Sequence, residues 1–239
     1  MREAGRVTAA AREAAVKALR PGMTTKELDA VAAREIKKLG GKPSFMGYRG
    51  FPATICASIN NEIVHGIPGD RVIKEGDVVK IDVGAIVGGF HGDSAVSLVA
   101  GKGTPEVDRL IESTRLSLEL GIKQAVAGRR IGDISYAVQQ FAEAQGYGVV
   151  REYVGHGVGR ALHEDPSVPN VGSPGKGPLL RVGMVIAIEP MLNMGTWQTR
   201  QLADGWTVVT ADGSLSAHFE HTLAITGNGP WVLTALEGD

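Results

Sequence analysis

The chain has one cysteine, Cys56, so it cannot build an intramolecular disulfide framework, which fits a reducing compartment. It has no excess charge of either sign. The 25 Lys and Arg against 26 Asp and Glu leave a net charge of -1, which argues against both a nucleic-acid footprint and an acidic tail. No apolar run approaches the roughly 20 residues of a membrane span. Met1 to Arg20 is Ala-rich with interspersed Arg and Glu and lacks the apolar core of a signal peptide, so a cytoplasmic protein is expected. Nor is there a low-complexity linker: Pro166 to Gly183 is rich in Pro and Gly but reads as a connecting loop, so a single domain over 1–239 is expected. What remains is 239 residues at 43% hydrophobic content, enough for a sizeable core.

Periodicity and punctuation divide the chain. Arg2 to Leu19, with alternating charge and abundant Ala, reads as a helix ended by Arg20-Pro21-Gly22. Its start shows no N-cap, which suggests that preceding sequence is missing. Thr24 and Glu27 make a capping box for a second helix with Leu28, Val31, Ala32, Ile36 and Leu39 on one stripe, closed by Gly40-Gly41. Phe45, Tyr48 and Phe51 read by default as core, Ala53 to Ile59 as a strand, and His65 beside Gly66 as structural when taken alone. Thr104-Pro105-Glu106 opens a third helix running to about Val126, and Gly132-Asp133 caps a fourth from Ile134 to Gln145. Gly22 and Gly40 bracket the second helix at the same separation as Gly128 and Gly146 bracket the fourth. Carrying that offset forward from Asp82 lands on Ile188, next to Glu189. The echo predicts two similar halves, about 1–104 and 105–239, each placing acids on a central strand.

The most informative stretch is Val78 to Val99. β-branched runs flank Val87-Gly88-Gly89, which predicts a hairpin with Asp82 on one arm and Asp93 on the other. A turn centred on Val87-Gly88 sets the two acids directly opposite; one centred on Gly88-Gly89 makes them diagonal neighbours on the same face. Opposed side chains have Cβ atoms about 4.5 to 5.5 Å apart, so two acids there repel. A shared proton, a bound cation, or an odd-length loop that sends one Asp to solvent would each resolve the conflict.

Farther along, Gly155-His156-Gly157-Val158-Gly159 places an imidazole among glycines, His163 follows, and Glu189 ends the apolar run Val185 to Ile188. Thr207 to Thr210 and Phe219 to Ile225 read as a second hairpin around Asp212-Gly213, with Glu220 on an otherwise apolar strand. Asp82, Asp93, Glu189 and Glu220 thus all lie in strand-like sequence, where an unpaired buried charge costs several kcal/mol. Two divalent cations would balance four carboxylates, with neutral His156 as a nitrogen ligand. Mixed oxygen and nitrogen ligation suits Mn, Fe(II), Co or Zn better than Ca.

With Asn60-Asn61-Glu62-Ile63-Val64-His65-Gly66-Ile67-Pro68, Leu162-His163-Glu164, Ile188-Glu189-Pro190-Met191 and Phe219-Glu220-His221-Thr222 added in order, the chain resembles the type I methionine aminopeptidases over nearly its whole length. That resemblance implies an α+β pita-bread fold, two pseudo-symmetric halves with a central antiparallel sheet covered by helices. It implies five metal ligands, Asp82, Asp93, His156, Glu189 and Glu220, holding two divalent ions, with Asp93 and Glu220 bridging. His65 and His163 carry over as catalytic and substrate-binding imidazoles, and Glu189 as the group that also handles the proton. A methionine pocket maps onto Tyr48, Phe51, Cys56 and Trp206, with Phe45 and Leu162 at its wall.

The implied activity is removal of initiator methionine from nascent polypeptides with a small second residue, by a water or hydroxide held between two metal ions. A cytoplasmic monomer in transient contact with the ribosome, with no nucleic-acid specificity and no membrane, completes the expectation. Alternatives are an X-Pro aminopeptidase or prolidase-like activity, or a non-catalytic pita-bread protein that binds peptides or ribosomes. Three positions depart from the family pattern: Leu162 stands where an aromatic residue is usual, Phe51 where Tyr is common, and His218 where an amide residue is usual. His91 and His221 are read as structural or surface residues.

Overall fold

A computed structural model describes residues 1–236. The first helix, α1 (Arg2–Ala18), buries Ala4, Val7, Ala11 and Ala15 along one face. The second, α2 (Thr25–Lys38), starts at the expected box: Thr24 Oγ1 accepts from Glu27 N at 3.2 Å, and Thr24 N donates to Glu27 Oε2 at 2.7 Å. Leu28, Ala32 and Ile36, spaced at one helical turn, are its buried stripe. These helices pack together over a sheet formed by Lys42–Pro43, Ile55–Ile59, Val78–Val87 and Phe90–Val99, and their apolar stripes meet Ile55, Ile59, Val79, Ile81 and Val83 in one core. The strand expected from Ala53 begins only at Ile55, because the Asp29 carboxylate takes the N–H groups of Thr54 and Ile55 at 2.8 and 2.9 Å.

A second helix pair repeats the arrangement. α3 (Pro105–Gln124) has Thr104 as its cap, and α4 (Ile131–Ala144) packs against it. Their core partners, including Ile186, Ile188, Leu223 and Ile225, come from a five-stranded sheet in the order Gly229–Val232, His221–Thr226, Val185–Ile188, Gly155–Gly157, Glu164–Val168. α4 begins three residues earlier than Ile134: Asp133 is its third residue, and its carboxylate accepts from Arg130 N at 2.8 Å. Asp favours both the N-cap and the first turn of a helix, and here it serves the second role. Among the described residues no helix is long and apolar enough to cross a membrane.

The hairpin register is settled by its turn. Val87 pairs with Phe90, so Gly88 and Gly89 are the central residues, at φ +58° and +77°. Both positive values are what a two-residue turn matching the strand twist demands. Asp82 therefore faces Ala95 and Asp93 faces Gly84, which makes the two acids diagonal neighbours on one face and removes the directly opposed pairing.

The expected second hairpin does not form. Val208–Thr210 pairs instead with Thr199–Gln201 and with Glu62–Val64. The turn after Thr210 is held by Asp212, whose carboxylate accepts from Thr196 N at 2.7 Å and Ser214 N at 3.0 Å. It delivers the chain into a different sheet, where Ser216–His218 pairs with Met191–Asn193.

Candidate metal centre

Each acidic side chain is placed by a strand or by a break in one. Asp82 and Asp93 project from the hairpin, and Gly84, opposite Asp93, leaves the space occupied by Ser44 and Phe45: a Cβ there would come within 2.7 Å of both side chains. In the other half, Ile188 pairs with His221 and Met191 with His218, so Glu189 and Glu220 fall at the same interruption of two facing strands. His156 is the middle residue of Gly155–Gly157.

These residues converge. One ligand atom each from Asp93, His156 and Glu220 lies within 4.8 Å of the others. His156 Nε2 stands 3.6 Å from Glu189 Oε1 and 3.9 Å from Asp93 Oδ2, and Asp82 lines the same cavity of about 170 Å³. Its other walls include Tyr48, Phe51, Cys56, His65, His163 and Trp206, so every expected site residue is brought to one place. A wider cleft of about 620 Å³ between the start of α4 and the 165–184 loop contains none of them. Convergent ionisable groups, not volume, mark the candidate site.

Burial dominates the electrostatics. It pushes the Asp82 carboxyl up to about 7. Asp93, Glu189 and Glu220 are raised well above the usual carboxyl range by burial first and then by one another, with Arg12 partly offsetting the rise at Glu220. Asp82 Oδ1, Asp93 Oδ1 and Glu220 Oε1 are buried with no hydrogen-bond donor among the described residues. Native structures rarely leave such atoms bare, and a divalent cation is the partner that suits a cluster of carboxylates. The imidazole agrees: His156 Nδ1 lies 2.9 Å from Gly157 O, a carbonyl that can only accept, so Nδ1 carries the proton and the Nε2 lone pair faces the carboxylates. The donor set fits a divalent metal ion.

Two further imidazoles flank the cluster. The His163 ring lies 4.1 Å from that of His156, and its Nδ1 is 2.9 Å from the Tyr48 hydroxyl. Burial, then His156 and Arg49, bring His163 down to about 4; burial and His163 bring His65 to about 4. His65 holds φ +61°, a conformation uncommon outside glycine and frequent at functional sites. Its ring meets Tyr153 and Trp206 edge-on at 5.6 and 6.2 Å.

The apolar wall is built by Phe51 and Trp206, edge to face at 5.0 Å, over buried Cys56, Phe45 and Leu162. Burial, with the nearby carboxylates, pushes the Cys56 thiol up, which keeps it a neutral, soft neighbour. Arg49 is a lining residue that sequence reasoning missed. Its guanidinium sits 5.4 Å over the Tyr48 ring and its backbone holds φ +48°; its place between Tyr48 and Gly50 in the aromatic stretch was the available signal. His91 and His221 are structural, bonded through Nδ1 to Ser44 Oγ at 2.9 Å and Thr234 Oγ1 at 2.8 Å.

A family model described as metallopeptidase family M24 matches residues 1–227. Methionine aminopeptidase 1 of Bacillus subtilis is 53% identical over 234 residues, covering 98% of this chain and 94% of the relative. The methionine aminopeptidase of Clostridium perfringens is 50% identical over 237 residues, covering 99% and 95%. Among solved structures, the methionine aminopeptidase from Thermotoga maritima superposes with a TM-score of 0.97 at 46% identity, over 99% of this chain and 95% of that one. The prolidase from Pyrococcus furiosus, at 23% identity and a TM-score of 0.80, shares the fold and extends well beyond it, since 62% of that chain is covered.

Proposed function

The chain belongs to metallopeptidase family M24 and has its pita-bread fold, and on that premise we propose that it removes the amino-terminal methionine from polypeptides whose second residue is small. The observation that carries this reading is the convergence of four buried carboxylates and the His156 lone pair on the floor of a cavity walled by Phe51, Cys56 and Trp206. An apolar wall with a neutral thiol suits a thioether side chain, and about 170 Å³ leaves little room beside it for a large second residue.

In this reading Asp82, Asp93, His156, Glu189 and Glu220 would hold two divalent ions drawn from Co, Mn, Fe or Zn, Asp93 and Glu220 contributing to both. When bound, such a pair would supply acidified water and polarisation of the scissile carbonyl. The protein's own groups do the rest. With the Tyr48 hydroxyl donating to His163 Nδ1, the Nε2 proton of His163 is free to donate to the carbonyl oxygen as it gains charge. Neutral His65, fixed between Tyr153 and Trp206, orients the peptide. Glu189 takes a proton from the attacking water at Oε1 and returns it to the leaving amine. The chain would act as one catalytic domain whose halves meet near residue 104. It would work as a cytoplasmic monomer on nascent chains, with transient ribosome contact.

The test is turnover of Met-Ala-Ser and Ala-Pro-Ser by metal-stripped protein refilled with each ion. Cleavage of Met-Ala-Ser at two ions per chain is expected. Cleavage of the Pro substrate alone would replace this reading with a prolidase-like one; no turnover with any ion would leave a peptide-binding protein.

A further inference from the structure

His218 ends the strand Ser216–His218 with its side chain 2% exposed. Its backbone is held on both sides by Ser97, whose hydroxyl accepts from His218 N at 2.8 Å and donates to His218 O at 2.7 Å. The ring is a different matter: among the described residues neither Nδ1 nor Nε2 has a hydrogen-bond partner. A neutral imidazole carries one donor and one acceptor, and a buried donor left bare is rare enough to require a reason.

Glu189 supplies one. His218 Nε2 faces Glu189 Oε2 at 3.9 Å, while His156 Nε2 faces the other oxygen, Oε1, at 3.6 Å. Glu189 is thus bracketed by two imidazoles, one to each oxygen. It sits in the break between the strands Val185–Ile188 and Met191–Asn193, without the continuous ladder pairing that fixes Asp82 and Asp93 on their hairpin. A side chain at such a break needs another anchor to decide which oxygen turns inward. His156 cannot supply a proton, because its own is engaged with Gly157 O.

We propose that His218 is a positioning residue for Glu189, donating its Nε2–H to Oε2 and so directing Oε1 toward the carboxylate cluster. Closing the present gap to hydrogen-bond distance takes a shift of about 1 Å, within reach of a side-chain rotation. The assignment rests on the role given to Glu189 above. It distinguishes His218 from a residue that merely fills core volume, because it requires a donor at one particular atom.

Two measurements on the full chain test it. In ¹⁵N-histidine-labelled protein loaded with Zn(II), a diamagnetic ion, the His218 proton should reside on Nε2; a proton on Nδ1 would overturn the proposal without any variant having to fold. By titration calorimetry with Zn(II), His218→Leu, which fills the space without a donor, should bind the metal about 10-fold or more weakly, the usual size of losing a partner behind a ligand. His218→Gln, which keeps a neutral N–H of similar reach, should retain most of the affinity, and with Met-Ala-Ser the Leu variant should lose kcat with KM unchanged. Equal affinity in all three proteins, or equal loss in both variants, would overturn the positioning role. Wild-type protein that binds no divalent ion would overturn the proposed function and this assignment with it, whereas normal wild-type binding with indifferent variants overturns this assignment alone.

Discussion

Ala95 and Glu220 exchange a pair of backbone hydrogen bonds, Glu220 N to Ala95 O at 2.9 Å and Ala95 N to Glu220 O at 3.3 Å, and so join the hairpin of the first half to the broken strand of the second. On either side of that pair the backbones move apart and hydroxyls fill in: Thr222 Oγ1 bridges to Asp93, and Ser97 Oγ bridges to His218. Ser94, between Asp93 and Ala95, donates to Glu220 O at 2.8 Å and accepts from Arg12 of α1. The carboxylates of Asp93 and Glu220 therefore meet because of a seam, not because of a ladder within one sheet.

Thr222→Val should expose how much the seam contributes. Thr222 Oγ1 accepts from Asp93 N at 3.0 Å and donates to Asp93 O at 2.8 Å, so the isosteric valine leaves two buried backbone groups bare. The expected loss is about 1–3 kcal/mol in urea unfolding with an unchanged m value, and Thr222→Ser should recover most of it. If the valine variant is as stable as wild type, the hydroxyl bridge does not hold the halves together.

Asp93→Ala should abolish the site and spare the fold. Asp93 is 4% exposed, sits in the shared cluster with His156 and Glu220, and carries an oxygen with no donor in the metal-free protein. Removing a buried carboxyl whose ionisation is opposed by burial and by its acidic neighbours relieves an unfavourable desolvation in that state. Its melting temperature should therefore match or exceed that of stripped wild type, while metal content drops by at least one ion. Turnover should fall by more than the roughly 100-fold that losing an outer-shell partner costs. Two ions per chain in the variant would refute the shared-ligand role.

Trp206→Ala should change what is cleaved more than whether cleavage occurs. Trp206 forms one wall of the cavity with Phe51 and meets His65 edge-on, so its removal opens the apolar end. A fall in kcat/KM for Met-Ala-Ser of roughly 10- to 200-fold, seen mostly in KM, follows from losing apolar contacts worth about 1–3 kcal/mol. Phe-Ala-Ser should lose less, and metal affinity should not move. An unaltered ratio between the two peptides would take Trp206 out of the pocket.

The site was legible because its residues break local rules. Asp82, Asp93, Glu189 and Glu220 are acids in apolar strand sequence, and a misfit of that kind is visible without knowing partners. A Gly-containing turn was legible as well, but the choice between two registers that shift the pairing by two residues was not, since both keep the same apolar pattern. What failed was pairing at long range. Asp212-Gly213 is a genuine turn signal, yet nothing local says that the strand before it joins Glu62–Val64 and the strand after it joins Met191–Asn193. Arg49 left only its place in the aromatic stretch as a signal, for a related reason: it belongs to no periodic element, and its position in the cavity is set by the backbone turn at Gly47 and Gly50.

Proton competition gives the last prediction, and its sign needs care because several groups oppose one another in the metal-stripped protein. Asp82 titrates near 7 in the folded chain against a usual value of 3.8, and Asp93, Glu189 and Glu220 are raised too. A carboxyl raised in this way contributes its full stability below the unfolded pKa and loses it as pH climbs through the folded one. His65 and His163 near 4 and His218 near 3 act in the other sense, with stability present above 6.5 and lost as pH falls through their folded values. Lys80, buried and brought down to about 7 by burial, likewise gains stability as pH rises above 7. Stripped protein alone therefore gives a mixed profile. The difference between metal-saturated and stripped protein is simpler, because Lys80 and the non-ligand imidazoles occur in both and only the ligand carboxyls must give up protons to bind. The gap in unfolding free energy between the two forms should widen as pH rises from 6 toward 7.5, by about 1.4 kcal/mol per pH unit for each proton displaced. Urea unfolding of both forms at pH 6.0, 6.8 and 7.5 reads it directly. A gap that stays constant or narrows would mean that these carboxyls are not the metal's ligands.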